Sequence, residues 1–221
     1  MIAFISFNLL KCYPAFHDRN VTGQGLPGLR GTGDEDIFNR KRMNINAIRD
    51  IVTHVERTNP TYSIILSVQE CDPTFLEMAE LYDWVALPRD APRTYEQFVF
   101  GIKGLKHIKL LGVTTRPIDR NKNITVVRLE SNGFAFALLN CHLDYAKKGF
   151  GILKSIIDGE GRCLIMGDFN EGIDGPNVSA LFKMRDFLVP DNSKTDDRGR
   201  EFTHKDTEQQ LVVYDHIIKV K

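Results

Sequence analysis

The stretch Arg162-Cys163-Leu164-Ile165-Met166-Gly167-Asp168-Phe169-Asn170 carries the reading of this chain. Arg162 to Met166 is a short apolar run of the kind that forms a buried strand. It runs directly into Gly167-Asp168-Phe169-Asn170, where the chemistry changes from apolar to polar within two residues. A buried strand gains nothing from a carboxylate at its end unless that end faces water or a site. Clefts beside sheets form at such ends. Residues two apart on a strand share a face, so Asp168 and Asn170 can address one ligand. Alone, Gly-Asp-x-Asn is also the composition of an ordinary turn.

Working outward, the same pattern recurs. Ile2 to Asn8 is an apolar run ending in Asn8, and Tyr62 to Gln69 is a second, with Glu70 at its end. Ile124 to Glu130 and Phe134 to His142 read as two strands joined by Ser131-Asn132-Gly133, a hairpin signal. The second of them ends in Asn140 and His142, again two residues apart and able to address one ligand. Further strands are expected over Trp84 to Leu87, Phe98 to Ile102 and Ile108 to Val113. Leu211 to Val220 reads as a final strand interrupted by Asp215-His216.

Helical spacing appears between the strands. Ile37, Met43, Ile45, Ile48, Ile51, Val52 and Val55 form one apolar side of Asp36 to Arg57, and Asn59-Pro60 ends it. Shorter helices are expected over Pro73 to Tyr82, about Ala146 to Ile157, and Val178 to Phe187. Strands and helices interleave, with hairpins among the strands, which indicates a mixed sheet flanked by helices. The glycine-rich stretch Pro14 to Asp36 follows directly on Asn8. Two readings stand for it: a substrate-gripping lid bordering the cleft, or a disordered segment.

At 221 residues, with no repeat or linker, the chain is expected to be a single domain over 1–221. Its 29 Lys and Arg balance 29 Asp and Glu, so no global basic field steers it to nucleic acid or anionic lipid. Local cations still count. Arg40 and Arg42, with Lys41 and Arg49, form a basic stripe on the first helix, and Arg40 and Arg42 are expected to contact substrate phosphates. Cys12, Cys71, Cys141 and Cys163 are scattered without a C-x-x-C pair, as expected of reduced core thiols in a cytoplasmic protein. The opening residues lack a basic region and a cleavage site for a signal peptide. No run reaches the ~20 apolar residues that cross a bilayer. A monomer without a membrane anchor is expected.

Hydrolysis of a phosphodiester needs a developing negative charge neutralised and a hydroxide produced near neutral pH. A hard divalent cation does both and prefers carboxylate and amide oxygens. Asn8, Glu70 and Asp168 offer such oxygens. An Asp can orient or deprotonate a water, an Asn beside it can donate to that water or to phosphate, and a His can donate to phosphate. Each residue alone has an ordinary structural reading; their order and strand context together point to a site.

On these segments the chain resembles the endonuclease/exonuclease/phosphatase superfamily, the deoxyribonuclease-I-like proteins. The matching segments are Ser6-Phe7-Asn8, Val68-Gln69-Glu70, Asn140-Cys141-His142-Leu143, Gly167-Asp168-Phe169-Asn170 and Tyr214-Asp215-His216-Ile217, spanning nearly the whole chain in the family's order. The resemblance implies a four-layer α/β sandwich of two packed mixed β-sheets with outer helices. It implies Mg²⁺ or Mn²⁺ held by Glu70 with help from Asn8, Asp168 and Asn170 positioning water and phosphate, and His142 supporting phosphate binding. It implies a metal-dependent phosphodiester hydrolase, foremost a nuclease with a nucleic acid substrate. A phosphomonoesterase, a phospholipid phosphodiesterase and a non-catalytic binding module are the rivals.

The end of the chain departs from the family, which closes on Ser-Asp-His. Asp215 lies where the family has the Asp of the preceding strand, a catalytic partner whose His is then missing. Three readings stand: a shortened chain, a minimal form using His204 or His17, or Asp215-His216 in place of the terminal motif.

Overall fold

The computed structural model describes residues 2–8, 45–46, 48–50, 52–71, 82–86, 88, 97–118, 122–143, 148–171, 175–184, 204–205, 211–212 and 215–220, with backbone alone at 7–8, 182–184 and from 204 onward. Two mixed sheets carry the fold. The first comprises β1 (Ile2–Asn8), β2 (Ser63–Gln69), β3 (Trp84–Ala86) and β4 (Phe98–Lys103), in the order β1-β2-β4-β3. The second comprises β5 (Ile108–Pro117), β6 (Asn123–Ser131), β7 (Phe134–His142), β8 (Cys163–Asp168) and β11 (Asp215–Val220), in the order β11-β8-β7-β6-β5. A two-stranded ribbon pairs β9 (His204–Lys205) with β10 (Leu211–Val212).

Period-two alternation explains why the sheets stack. In β2, Ile64, Leu66 and Val68 belong to one apolar cluster with Ile48, Val52 and Val55 of the helical residues 48–50 and 52–58. Ile65, on the opposite face, packs with Leu138 of β7 and Met166 of β8. In β7 and β8, Leu139, Cys141, Cys163 and Ile165 face a third cluster with Phe150, Leu153 and Ile157 of α1 (Lys148–Glu160) and Val178 and Leu181 of α2 (Pro176–Met184). Three apolar interfaces therefore separate four layers: helix, sheet, sheet, helices. This is the four-layer sandwich that the resemblance implies. Both sheets are buried on two faces in their centre, which is why β2 reads as a near-continuous apolar run.

Most expected elements stand within a few residues. The β5 strand runs on to Pro117 rather than stopping at Val113, because Thr114 to Pro117 pair with Asn123 to Val126 beyond a register shift at Leu110/Gly112. That arm is mostly exposed, so no apolar alternation marks it. Asp215-His216 does not interrupt a strand; it begins β11. The α1 helix, described over Lys148–Glu160, ends three residues later than expected, and α2 starts two residues earlier than expected, with Pro176 in its first turn. The helix expected over Pro73 to Tyr82, and the stretch Pro14 to Asp36, lie outside the described residues save Tyr82.

The alternation also places the site. Gln69 shares the inner face of β2 with Ile65 and Ser67. Asn140 and His142 share that of β7 with Leu138, and Asp168 that of β8 with Met166. The polar ends of both sheets thus meet at one end of the seam between them. Among the described residues, no helix is long and apolar enough to cross a membrane.

Candidate active site

Three strands and two turns build the cluster. The β7 and β8 strands are parallel, with His142 in register with Asp168 and Asn140 in register with Met166. Their approach is close at Gly167, where φ is 136° and a Cβ would run into the carbonyl oxygen of Cys141. Only glycine suits both the torsion and the space. From the other sheet comes Glu70, at φ 51° immediately after β2. Ligand atoms of Glu70, His142 and Asp168 all lie within 4.8 Å of one another.

Asp168 and His142 are 5% and 7% exposed, and Glu70 is half-buried. Asp168 Oδ1 accepts the backbone N–H of Asn170 at 2.8 Å, and Asn170 Nδ2 donates to the carbonyl of Leu143 at 2.6 Å. The Leu143 N–H in turn donates to the carbonyl of Asp168 at 2.8 Å. Asn170 itself sits at φ 48°, a left-handed conformation that asparagine adopts more readily than other non-glycine residues. Its neighbour Glu171 holds the turn from the far side. That buried carboxylate accepts from Asn177 N–H (2.6 Å), Val178 N–H (3.2 Å) and Asn177 Nδ2 (2.9 Å), capping the N-terminal end of α2.

His142 has two neighbours at one nitrogen. Lys122 Nζ lies 2.7 Å from Nε2, and Glu70 Oε1 lies 3.4 Å from it. An ammonium only donates, so the Lys122 contact requires Nε2 to be the accepting nitrogen, with the ring proton on Nδ1. The same atom cannot also donate to Glu70, and the shorter contact defines this arrangement. Lys122 also donates to the Leu143 carbonyl at 3.1 Å, the acceptor that Asn170 uses.

The expected residues divide as follows. Glu70, His142, Asp168 and Asn170 come together. Asn8 pairs in register with Gln69, one residue from Glu70, and Asp215 pairs across β11 with Asp168, so both backbones flank the cluster. Asp215 begins its strand opposite Asp168, while His216 stands opposite Gly167. Arg40, Arg42 and His17 lie outside the described residues, and His204 belongs to the β9–β10 ribbon. Asn140 does not share a ligand with His142. It is fully buried and its amide is spent on the opposite sheet. Cys141, between them, points into the helix layer, and burial pushes its thiol far above the ordinary range, so it is no nucleophile. Cys71 and Cys163 are likewise buried in the reduced form, as expected. Lys122 and Glu171 were missed; nothing in the local sequence sets either apart from a surface charge.

The donor set suits a hard divalent cation: two carboxylates and an imidazole converge, and carboxylate oxygen is the preferred ligand of such ions. Glu70 is the residue that would hold it, with the Asp168 carboxylate beside it in the same cluster.

No protein-family model matches the chain, and no curated protein matches it in sequence. Solved structures do share its fold. An endonuclease/exonuclease/phosphatase family protein of Bacteroides thetaiotaomicron superposes with a TM-score of 0.61 at 15% identity, covering 99% of this chain and 82% of that one. The endonuclease/exonuclease/phosphatase of Bacteroides vulgatus gives 0.58 at 17% identity over 98% and 86%. ANGEL2, a 2′,3′-cyclic phosphatase, gives 0.58 at 12% identity over 98% and 83%. The fold is the deoxyribonuclease-I-like sandwich.

Proposed function

We propose that this chain, with the deoxyribonuclease-I-like fold as its frame, is a divalent-metal-dependent phosphoester hydrolase whose foremost substrate is a nucleic acid phosphodiester. One observation carries the reading: Glu70, His142 and Asp168 converge within 4.8 Å at the polar end of the seam between the sheets. Convergent titratable side chains at a sheet end form an active-site hypothesis in their own right.

A bound Mg²⁺ or Mn²⁺ supplies Lewis-acid neutralisation of charge on the phosphoryl oxygens. The remaining work falls to the protein. Asp168 orients the attacking water and takes its proton. Asn170, fixed by the Leu143 carbonyl and by the Asp168 carboxylate, sets the direction from which water meets phosphorus. His142 binds a phosphate oxygen, and Lys122 adds a positive charge beside it. Asn8 assists Glu70, and Asp215 supports Asp168 from the neighbouring strand. Arg40 and Arg42 grip the flanking phosphates. The protein acts as a cytoplasmic monomer.

Cleavage of end-labelled single- and double-stranded oligonucleotides, with Mg²⁺ or with EDTA, tests the proposal. Activity is expected with Mg²⁺, and none with EDTA or with Asp168→Ala. Turnover that survives chelation, or persists at the wild-type rate in Asp168→Ala, would rule the site out.

A phosphomonoesterase is the second reading, favoured by Lys122. A terminal phosphate carries about −1.5 to −2 charges near neutral pH, more than a diester, and benefits more from an added ammonium. A mannosyl-6-phosphatase of Bacteroides thetaiotaomicron shares the fold with a TM-score of 0.57 at 13% identity over 100% of this chain and 85% of that one. A panel of oligonucleotides, sugar phosphates, inositol phosphates and sphingomyelin separates the readings.

A further inference from the structure

Beneath the cluster lies a polar contact that the reaction does not use. Asn140, fully buried on β7, reaches across the seam. Its Nδ2 donates to the carbonyls of Val68 (2.9 Å) and Phe98 (3.0 Å), which belong to β2 and β4 of the other sheet. Its Oδ1 accepts from Gln69 Nε2 at 2.7 Å. Two carbonyl acceptors dictate which way the Asn140 amide faces. That orientation presents oxygen to Gln69, so Gln69 must offer its nitrogen. The consequence is an unsatisfied acceptor: Gln69 Oε1 is buried and has no hydrogen-bond partner among the described residues. Ser6 and Ser67 lie 3.4 Å from the Gln69 nitrogen, too long to add much.

An apolar pair at this level of the seam would avoid that unsatisfied oxygen, as Ile65 and Leu138 do deeper in it. What the amide pair has and an apolar pair lacks is direction. Gln69 directly precedes Glu70, and Asn140 precedes His142 by two residues on the same face of β7. The two halves of the candidate site hang from opposite sheets, and the Gln69–Asn140 pair ties them together one step below.

We propose that Gln69 and Asn140 are positioning residues that set the separation of Glu70 from His142 and Asp168, and so tune the cluster for a divalent cation. The inference rests on the metal-dependent reading above. The decisive substitution is Gln69→Met. It removes the directed hydrogen bond and also the unsatisfied acceptor, while keeping an unbranched chain of similar volume. Gln69→Asn, which withdraws the same amide by one methylene, is the second variant, and its result decides if Gln69→Met does not fold.

The experiment is Mn²⁺ binding to the metal-free full chain by calorimetry, with thermal unfolding of the same samples and kcat and KM measured with Mg²⁺. The expected result is a melting temperature within a few degrees of wild type, Mn²⁺ affinity weakened five-fold or more, and kcat reduced at least ten-fold with KM moved less. A pair that merely cements the sheets would lower the melting temperature and leave Mn²⁺ affinity alone. Folded variants with Mn²⁺ affinity and kcat within two-fold of wild type would therefore overturn the proposal. A wild-type chain that binds no Mn²⁺ would overturn the metal reading and this inference with it. Normal binding by wild type and variants alike would overturn this inference alone.

Discussion

Among the described residues, two asparagines adopt the same left-handed backbone, Asn132 at φ 51° and Asn170 at φ 48°. Asn132 stands with Gly133 (φ 80°) at the tip of the β6–β7 hairpin, exposed to solvent. That conformation suits a tight hairpin reversal, and Asn-Gly supplies it at small cost. Asn170 follows β8 and is 5% exposed, with its side chain tied to the Leu143 carbonyl and its N–H to Asp168. The backbone torsion is equal; the surroundings are not. Glu70, which has no intrinsic liking for this region, shares it at the facing end of the other sheet. A left-handed turn in water reports only that the chain reverses. A left-handed turn held in the interior by bonds on both sides reports that side chains are aimed at something.

Substitution separates the two turns. On the proposed mechanism Asn170 directs water and phosphate, so Asn170→Ala is expected to lower kcat on the order of 10³-fold, as for loss of a preorganised donor. Steady-state kinetics together with circular dichroism would check this. Equal loss of kcat and of secondary structure would mean that Asn170 is structural, like Asn132. Lys122→Met tests whether the neighbourhood of the buried turn is charged for a purpose. A hydrogen bond from a charged donor is worth about 1.5–3 kcal/mol, so kcat/KM should drop roughly 10- to 100-fold. Lys122→Arg should recover part of it, whereas a change below about two-fold would reduce Lys122 to a surface cation. Asn132→Ala should cost about 1 kcal/mol in denaturant unfolding and leave kcat/KM unchanged. An activity defect there would erase the distinction between the turns.

Much of this was legible in residue order, and the reason is physical. The β2 and β8 strands lie between layers, so their apolar runs are nearly unbroken and stop where the seam opens. The polar residues at those stops, Glu70, Asp168 and Asn170, were readable because each interrupts a hydrophobic run at its end. Asn140 misled for the same reason. It too sits near the end of an apolar run, and only the position of the opposite sheet decides whether an amide there meets solvent or Val68. Lys122 was invisible because β6–β7 pairing, rather than proximity in sequence, brings it to His142. Glu171 was hidden by its distance from the helix it caps, with Asn177 six residues on. The β5 arm from Thr114 to Pro117 escaped because an exposed edge needs no alternation.

The seam that holds the site also orders events in time. Gln69 and Asn140 are 71 residues apart, and no short-range contact can stand in for theirs. As the chain leaves the ribosome, β1 and β2 emerge with Glu70 long before β7 and β8 exist to face them. Such long loops are closed late, since their entropy is lost before the contact forms. The Glu70, His142 and Asp168 cluster is thus complete only after the second sheet has docked, and a nascent or fragmentary chain carries only half of it.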